Sequence, residues 1–164
     1  MISEPNWLPK LLLLSESDGD WNKYCAKVYD AFLEDFVASQ PTFMGKWIRF
    51  RKDPICQNKE AGFWHCISEG RDEQNRTPDI ARCERIKWVR AIIENASDPR
   101  VEVWERRDGS EGRIHFWFDE RYLVVLGERG KIYQLIAAFC TDRNHTIRNK
   151  RRERDRCKRL TPPF

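Results

Sequence analysis

Glycine-rich phosphate loops are missing from this chain. Neither G-x-x-x-x-G-K nor G-x-G-x-x-G occurs in its 164 residues, so a P-loop nucleotide site and a Rossmann dinucleotide site have no support. There is no C-x-x-C pair. The six cysteines at 25, 56, 66, 83, 140 and 157 are scattered, which argues against a zinc ribbon and a disulfide scaffold. They read as reduced packing cysteines of a cytoplasmic protein. His65, Cys66 and Cys83 do not have the spacing of a structural zinc site, so no metal is expected; no cofactor is expected either. No apolar run approaches the roughly 18 residues of a membrane span. The N-terminus lacks a basic stretch followed by a long apolar one, so no secretory signal and no membrane partner are expected. Internal repeats and Gly/Ser-rich linkers are absent too.

Aromatic residues are plentiful: nine Phe and seven Trp in a chain that is 40% hydrophobic. That composition and length suit one globular domain with a real core. The net charge of +4 is unevenly spread. Arg143 to Arg159 holds nine Lys/Arg against two acids, a local +7, and leaves the remainder at −3. A basic tail of this kind points to a polyanion partner and to binding that weakens with salt. The expected organisation is a lead-in over residues 1–19, one domain over 20–142 and a basic, helical segment over 143–164.

A helix is expected from Asp20 to Gln40, with Trp21, Cys25, Val28, Tyr29, Phe32 and Phe36 on one face, Asp20 as N-cap and Pro41 as its stop. Gly45–Arg51 reads as a short strand. Residues 62–69 fit either a strand or a helical turn. A second helix is expected from Thr77 to Asn95, with Thr77 as N-cap and Pro78 in the first turn. Four strands follow, at about 101–107, 112–118, 122–128 and 131–141, separated by hairpin turns. Alternation puts Tyr133, Leu135, Ala137, Phe139 and Thr141 on one face. The fold class expected is α+β: helices packed on one face of a meandering four-stranded antiparallel sheet, with a basic C-terminal helix.

The chemistry concentrates in Gly62–Phe63–Trp64–His65–Cys66–Ile67–Ser68–Glu69–Gly70 and in Arg76 through Trp88. Arginines, glutamates and a histidine among aromatics are costly unless paired or used. Phe63-Trp64-His65 with Glu69-Gly70, then Arg82-Cys83-Glu84-Arg85 and a four-stranded meander, resembles small phage and mobile-element proteins. Those are similar to the barnase/EndoU/colicin/RelE superfamily of metal-independent ribonucleases, and the resemblance spans roughly residues 20 to 150.

The resemblance implies RNA cleavage through the substrate's own 2′-hydroxyl, by a toxin, defence or mobile-element effector. Such chemistry needs a base, an acid and cations for the phosphate. His65 is the acid/base candidate, with Glu69 or Glu84 as its partner. Arg82 and Arg85 are candidate phosphate clamps. Thr141 is placed to hydrogen-bond a phosphate oxygen and Tyr133 to stack on a base. In the tail, Arg143, Arg148, Lys150, Arg151 and Arg152 are candidate phosphate contacts. His115 and His145 read as surface residues. The alternative is a non-catalytic module on the same scaffold that binds nucleic acid or a protein, an inhibitor among them. The near-neutral body of the chain favours that alternative. The discriminator is whether His65, Arg82 and Glu84 meet in one open cleft.

Overall fold

The structure is a computed structural model describing residues 2–164. Along the chain lie α1 (Trp21–Leu33), β1 (Thr42–Phe43), β2 (Lys46–Phe50), α2 (Ala61–Ile67), β3 (Ser68–Glu69), β4 (Thr77–Pro78), α3 (Ile80–Glu84) and α4 (Ile86–Glu94). Then follow β5 (Val101–Asp108), β6 (Glu111–Phe118), β7 (Tyr122–Arg129), β8 (Ile132–Cys140), α5 (Asn144–Arg156) and β9 (Lys158–Leu160).

The four-stranded antiparallel sheet expected from the sequence is overturned. The sheet has seven strands in the order β1-β2-β8-β7-β6-β5-β9, and it is mixed and curled. The antiparallel meander β5 to β8 forms its middle. Its outer strands would each leave a row of unpaired N–H and C=O groups. Two remote segments cover them. β2 joins β8 in parallel, with Ile48 opposite Tyr133, and β9 joins β5 antiparallel, with Arg159 opposite Trp104. The expected strand at Gly45–Arg51 is present as β2, but neither its pairing with β8 nor that of β9 with β5 is written in a local pattern.

The helices do not all lie on one face. Helices α1, α2 and α4 bury Phe32, Phe63, Cys66, Val89 and Ile92 in one core with Ile48, Phe116, Val124 and Leu126 of the sheet. The opposite face carries a second cluster of Trp104, Trp117, Leu123 and Val125, against which Ile147 and Cys157 pack. A sheet that is apolar on both faces needs cover on both, and α5 with the turn after it supplies the second cover.

Helix α1 is capped by Asp20, which accepts the Lys23 amide at 3.2 Å. It runs on through one wide turn, Glu34–Ala38. The second expected helix begins later and is broken. Thr77 and Pro78 pair with Glu69 and Ser68 as a small ribbon. The N-cap is Asp79, which accepts the Arg82 amide at 3.3 Å. Arg85, at φ −105° and ψ 17°, separates α3 from α4. The lead-in is bound to the domain: Trp7 donates to Asp98 at 2.8 Å, and Trp88 donates to the Pro9 carbonyl at 2.9 Å.

A bulge in β8 changes which side chains share a face. Val125 lies opposite Ala137 but Leu126 lies opposite Leu135, so Ile136 is the extra residue. Tyr133 and Leu135 therefore point into the main core, while Ala137 and Phe139 join Val125 and Leu123 on the α5 face. The single face expected for residues 133–141 is corrected accordingly. Among the described residues no helix is long and apolar enough to cross a membrane.

Candidate active site

Helix α2 sits directly on the end of β2. The Gly62 amide donates to the Arg51 carbonyl at 2.8 Å. A Cβ on Gly62 would come within 2.7 Å of the Phe50 Cβ, so the approach requires glycine here. The other residues of α2 are buried, and His65 is its one half-exposed position. The His65 Nε2 lies 3.0 Å from both carboxylate oxygens of Glu73. Their side chains are 23% and 27% exposed, so the pair is open to solvent. A carboxylate there accepts from Nε2–H, which leaves Nδ1 as the basic nitrogen. The Arg51 guanidinium stands 3.9 Å from the same carboxylate.

Beside this pair, two arginines converge on one backbone carbonyl. Arg76 donates to Ser68 O at 2.7 Å, to Ser68 Oγ at 3.0 Å and to Gly70 O at 2.6 Å. Arg82 donates to Ser68 O at 2.7 Å and lies 3.4 Å from Asp79 and 3.8 Å from Glu69. Its guanidinium rests over the Phe139 ring at 5.6 Å. These bonds hold the β3–β4 ribbon and the loop that delivers Glu73. Burial pushes the neighbouring Cys66 thiol up to about 12, so it is held protonated. No group of three or more His, Cys, Asp or Glu is arranged to hold a metal ion among the described residues.

The remaining residues singled out from the sequence lie apart. The Glu84 carbonyl accepts the Leu12 amide at 3.0 Å, and its carboxylate makes no ion pair within the described residues. Arg85 donates to Ala81 O at 2.9 Å and stacks 5.1 Å from the Trp88 ring. It lines a separate cleft of about 440 Å³ with Lys10, Arg121 and Asp142. Thr141 is fully buried, accepts from Trp117 Nε1 at 2.8 Å and donates to Glu120 O at 3.0 Å. Tyr133 is buried beneath Lys46, whose ammonium lies 5.1 Å from the ring centre. His115 is buried rather than superficial, and His145 is exposed. On α5, Lys150 pairs with Glu153 at 3.2 Å and Arg151 with Glu120 at 2.7 Å. Arg143, Arg148 and Arg152 are exposed and make no ion pair within the described residues. Arg82 and Glu69 thus lie together at 3.8 Å, His65 meets Glu73 instead, and Glu84, Arg85 and Thr141 make their contacts elsewhere, so no contact among the described residues joins His65, Arg82 and Glu84.

Sequence reasoning missed Glu73, Arg51, Arg49 and Trp47. Glu73 sits in a polar loop where only the folded chain shows what it meets. The β2 residues did carry a signal: in Trp47-Ile48-Arg49-Phe50-Arg51 the apolar Ile48 and Phe50 alternate with the others. Ile48 is buried in the core, whereas Trp47 is 50% exposed and Arg49 is exposed. Trp47 and Arg49 lie opposite Ile132 and Gln134, on the α5 side of the sheet. Here Gln134, Ile136, Ala137 and Phe139 are only partly buried. Helix α5 thus covers one half of this face and leaves the β2–β8 half open. Compared with known proteins, the chain matches no family model, no curated protein and no solved structure.

Proposed function

We propose that this protein is a metal-independent endoribonuclease of the cytoplasm in which His65 is the acid/base group and Glu73 orients it. The carrying observation is the solvent-open histidine–carboxylate contact at 3.0 Å, with Arg51 beside it. His65 Nδ1 takes the proton of the substrate 2′-hydroxyl. The oxygen attacks phosphorus, the O2′–P bond forms and the P–O5′ bond breaks. The products are a 2′,3′-cyclic phosphate and a 5′-hydroxyl, whose proton comes from His65 or water. Glu73 stabilises the imidazolium and orients the ring, as a carboxylate behind a histidine does elsewhere. Arg51 is the cation for the phosphate charge that develops. Arg82 acts as a positioning residue, since its guanidinium is engaged with Ser68, Asp79 and Glu69.

A second reading, a nucleic-acid-binding module without catalysis, draws on the same arginines. Arg76 and Arg82 both spend their donors on backbone carbonyls, which leaves fewer for a phosphate. The deciding experiment is incubation of a mixed RNA pool with purified protein in excess EDTA, beside His65→Ala and Glu73→Gln. Cleavage by the parent, abolished in His65→Ala and reduced about 100-fold or more in Glu73→Gln, supports the enzyme. A folded parent that leaves RNA intact, yet retards it on a gel, supports the module.

A further inference from the structure

The open half of the sheet face lies beside the His65–Glu73 pair. Arg51 connects the two, because it follows β2 directly and its guanidinium reaches Glu73 at 3.9 Å. The strand positions of β2 and β8 on this half are Trp47, Arg49, Ile132, Gln134 and Ile136, and none is acidic. Trp47 leaves half its surface in water. It does so although the core a few residues away buries Phe43 and Ile48 almost completely. Arg49 makes no ion pair within the described residues, and Arg51 donates Nε to the Asp53 carbonyl at 2.6 Å. The face is therefore aromatic and cationic, with one amide side chain able both to donate and to accept.

We infer that this half-face holds single-stranded RNA, with a base stacked on Trp47 and the backbone running over Arg49 and Arg51 toward His65. The inference rests on the ribonuclease reading for its choice of polymer and adds the strand state of the substrate and the residues that select it. A duplex hides its base faces in its own stack and offers an isolated indole nothing to stack on. An unpaired strand offers a π-face at each nucleotide, and its phosphates fall to Arg49 on β2 and to Arg51 just after it. Such stacking is lost by truncating the aromatic side chain and kept by replacing it with another one.

The test separates binding from cleavage. Labelled single-stranded and duplex RNA of one length are titrated in EDTA by fluorescence anisotropy into the full chain carrying His65→Ala. Trp47→Ala, Trp47→Phe and Arg49→Ala are then added to that background, and circular dichroism checks that each is folded. Trp47 is half exposed, so its truncation leaves the core intact. The single strand is expected to bind at least about tenfold more tightly than the duplex. Trp47→Ala is expected to weaken it by roughly tenfold and Trp47→Phe by much less. Arg49→Ala is expected to flatten the salt dependence by about 0.7. Equal affinity for duplex, or a folded Trp47→Ala that binds like its background, overturns the inference. Self-association lost in Trp47→Ala also overturns it, because the face is then an interface between copies. RNA cleavage by the parent with no effect of Trp47→Ala keeps the ribonuclease and sinks this surface. Trp47-dependent binding with no cleavage does the reverse.

Discussion

Glu153 on α5 brings Oε1 to 3.1 Å from Nε2 of His115 on β6. The same carboxylate accepts from Trp104 Nε1 at 3.3 Å, and Arg106 and Lys150 each reach its other oxygen at 3.2 Å. The Trp104 ring lies flat on His115, with centroids 5.1 Å apart and planes 6° from parallel. This carboxylate clasps the basic helix to strands β5 and β6. The clasp matters because α5 has no fully buried residue of its own. A helix this polar and this short is marginal in isolation. Its order comes from Ile147, Cys157, the Glu153 contacts and the ion pairs of Arg151 with Glu120 and Arg154 with Glu102.

Glu153→Ala is therefore expected to destabilise the protein by about 2–4 kcal/mol, since it strands a buried indole N–H and removes the acceptor facing His115. Glu153→Gln keeps an acceptor for Trp104 and is expected to cost less. Urea unfolding gives the stability, and limited proteolysis gives the local effect. Trypsin should cut within α5 faster in Glu153→Ala than in the parent. An unchanged unfolding midpoint and an unchanged digestion pattern would show that the helix is held without Glu153, by Ile147, Cys157 and the Arg151 and Arg154 ion pairs.

Stability should respond to acid through His115. Burial under α5 pulls its pKa down to about 4 from an ordinary value near 6.5, against the pull of Glu153. The fold favours the neutral ring. Its contribution is complete above about 6.5 and is lost as pH falls toward about 4, on the order of 2–3 kcal/mol. Asp35 works with the opposite sign. Burial raises its carboxyl to about 6 although Arg90 lowers it. That contribution is present below the ordinary carboxyl range and is lost as pH rises through about 6. The two slopes oppose one another between about 4 and 6.5. Asp35→Asn is expected to gain stability more steeply than the parent over that window as pH rises, and His115→Phe to reverse the slope. Thermal melts across the window check both, and parallel curves for all three proteins would refute the assignment.

Thr141 links Trp117 to the Glu120 carbonyl, and its hydroxyl is used up by those two bonds. Thr141→Val leaves the Trp117 indole N–H and the carbonyl without partners in a buried place. The expected cost is about 1–3 kcal/mol of stability, and any RNA cleavage on the proposed ribonuclease reading is expected unchanged per folded molecule. A melt paired with an activity assay below the melting range separates the two effects. A normal melt with cleavage down about 100-fold would return Thr141 to the substrate.

What could be read in advance follows from the range of each signal. The turns at Asp108-Gly109 and Arg129-Gly130 are local chemistry, and strands β5 to β8 sit where those turns put them. The pairings of β2 with β8 and of β9 with β5 join segments remote in sequence, and no window of residues contains them. The bulge at Ile136 defeated a parity count that was sound on either side of it. At the candidate site, His65 was singled out as an acid/base side chain set among arginines and glutamates. Glu73 was not, because nothing in a polar loop marks which carboxylate will reach the histidine. Thr77-Pro78-Asp79 reads as a helix start, and competition from the β3–β4 ribbon moved the cap to Asp79. His115 looked superficial because strand alternation gives a face and does not say that a later helix will cover it.

Arg148, Arg152 and Arg156 stand at successive turns of α5. All three are exposed, and none pairs with an acid among the described residues. Their neighbours are different: Arg151, Arg154 and Arg159 are bound to Glu120, Glu102 and Asp155. Charges already paired on the protein contribute little to a polyanion, so the binding contribution of the tail is expected to come from the free row. Replacing those three by alanine should weaken RNA binding and lower the slope of log affinity against log salt by about 2, at roughly 0.7 per phosphate contact on a single strand. Replacing Arg151 and Arg154 instead should loosen α5 and change the slope much less. A salt titration of binding, run on both variants beside the parent, reads the difference directly. A triple variant with the parent's affinity and slope would leave the row as solvated surface and confine RNA contact to the β2 side of the molecule.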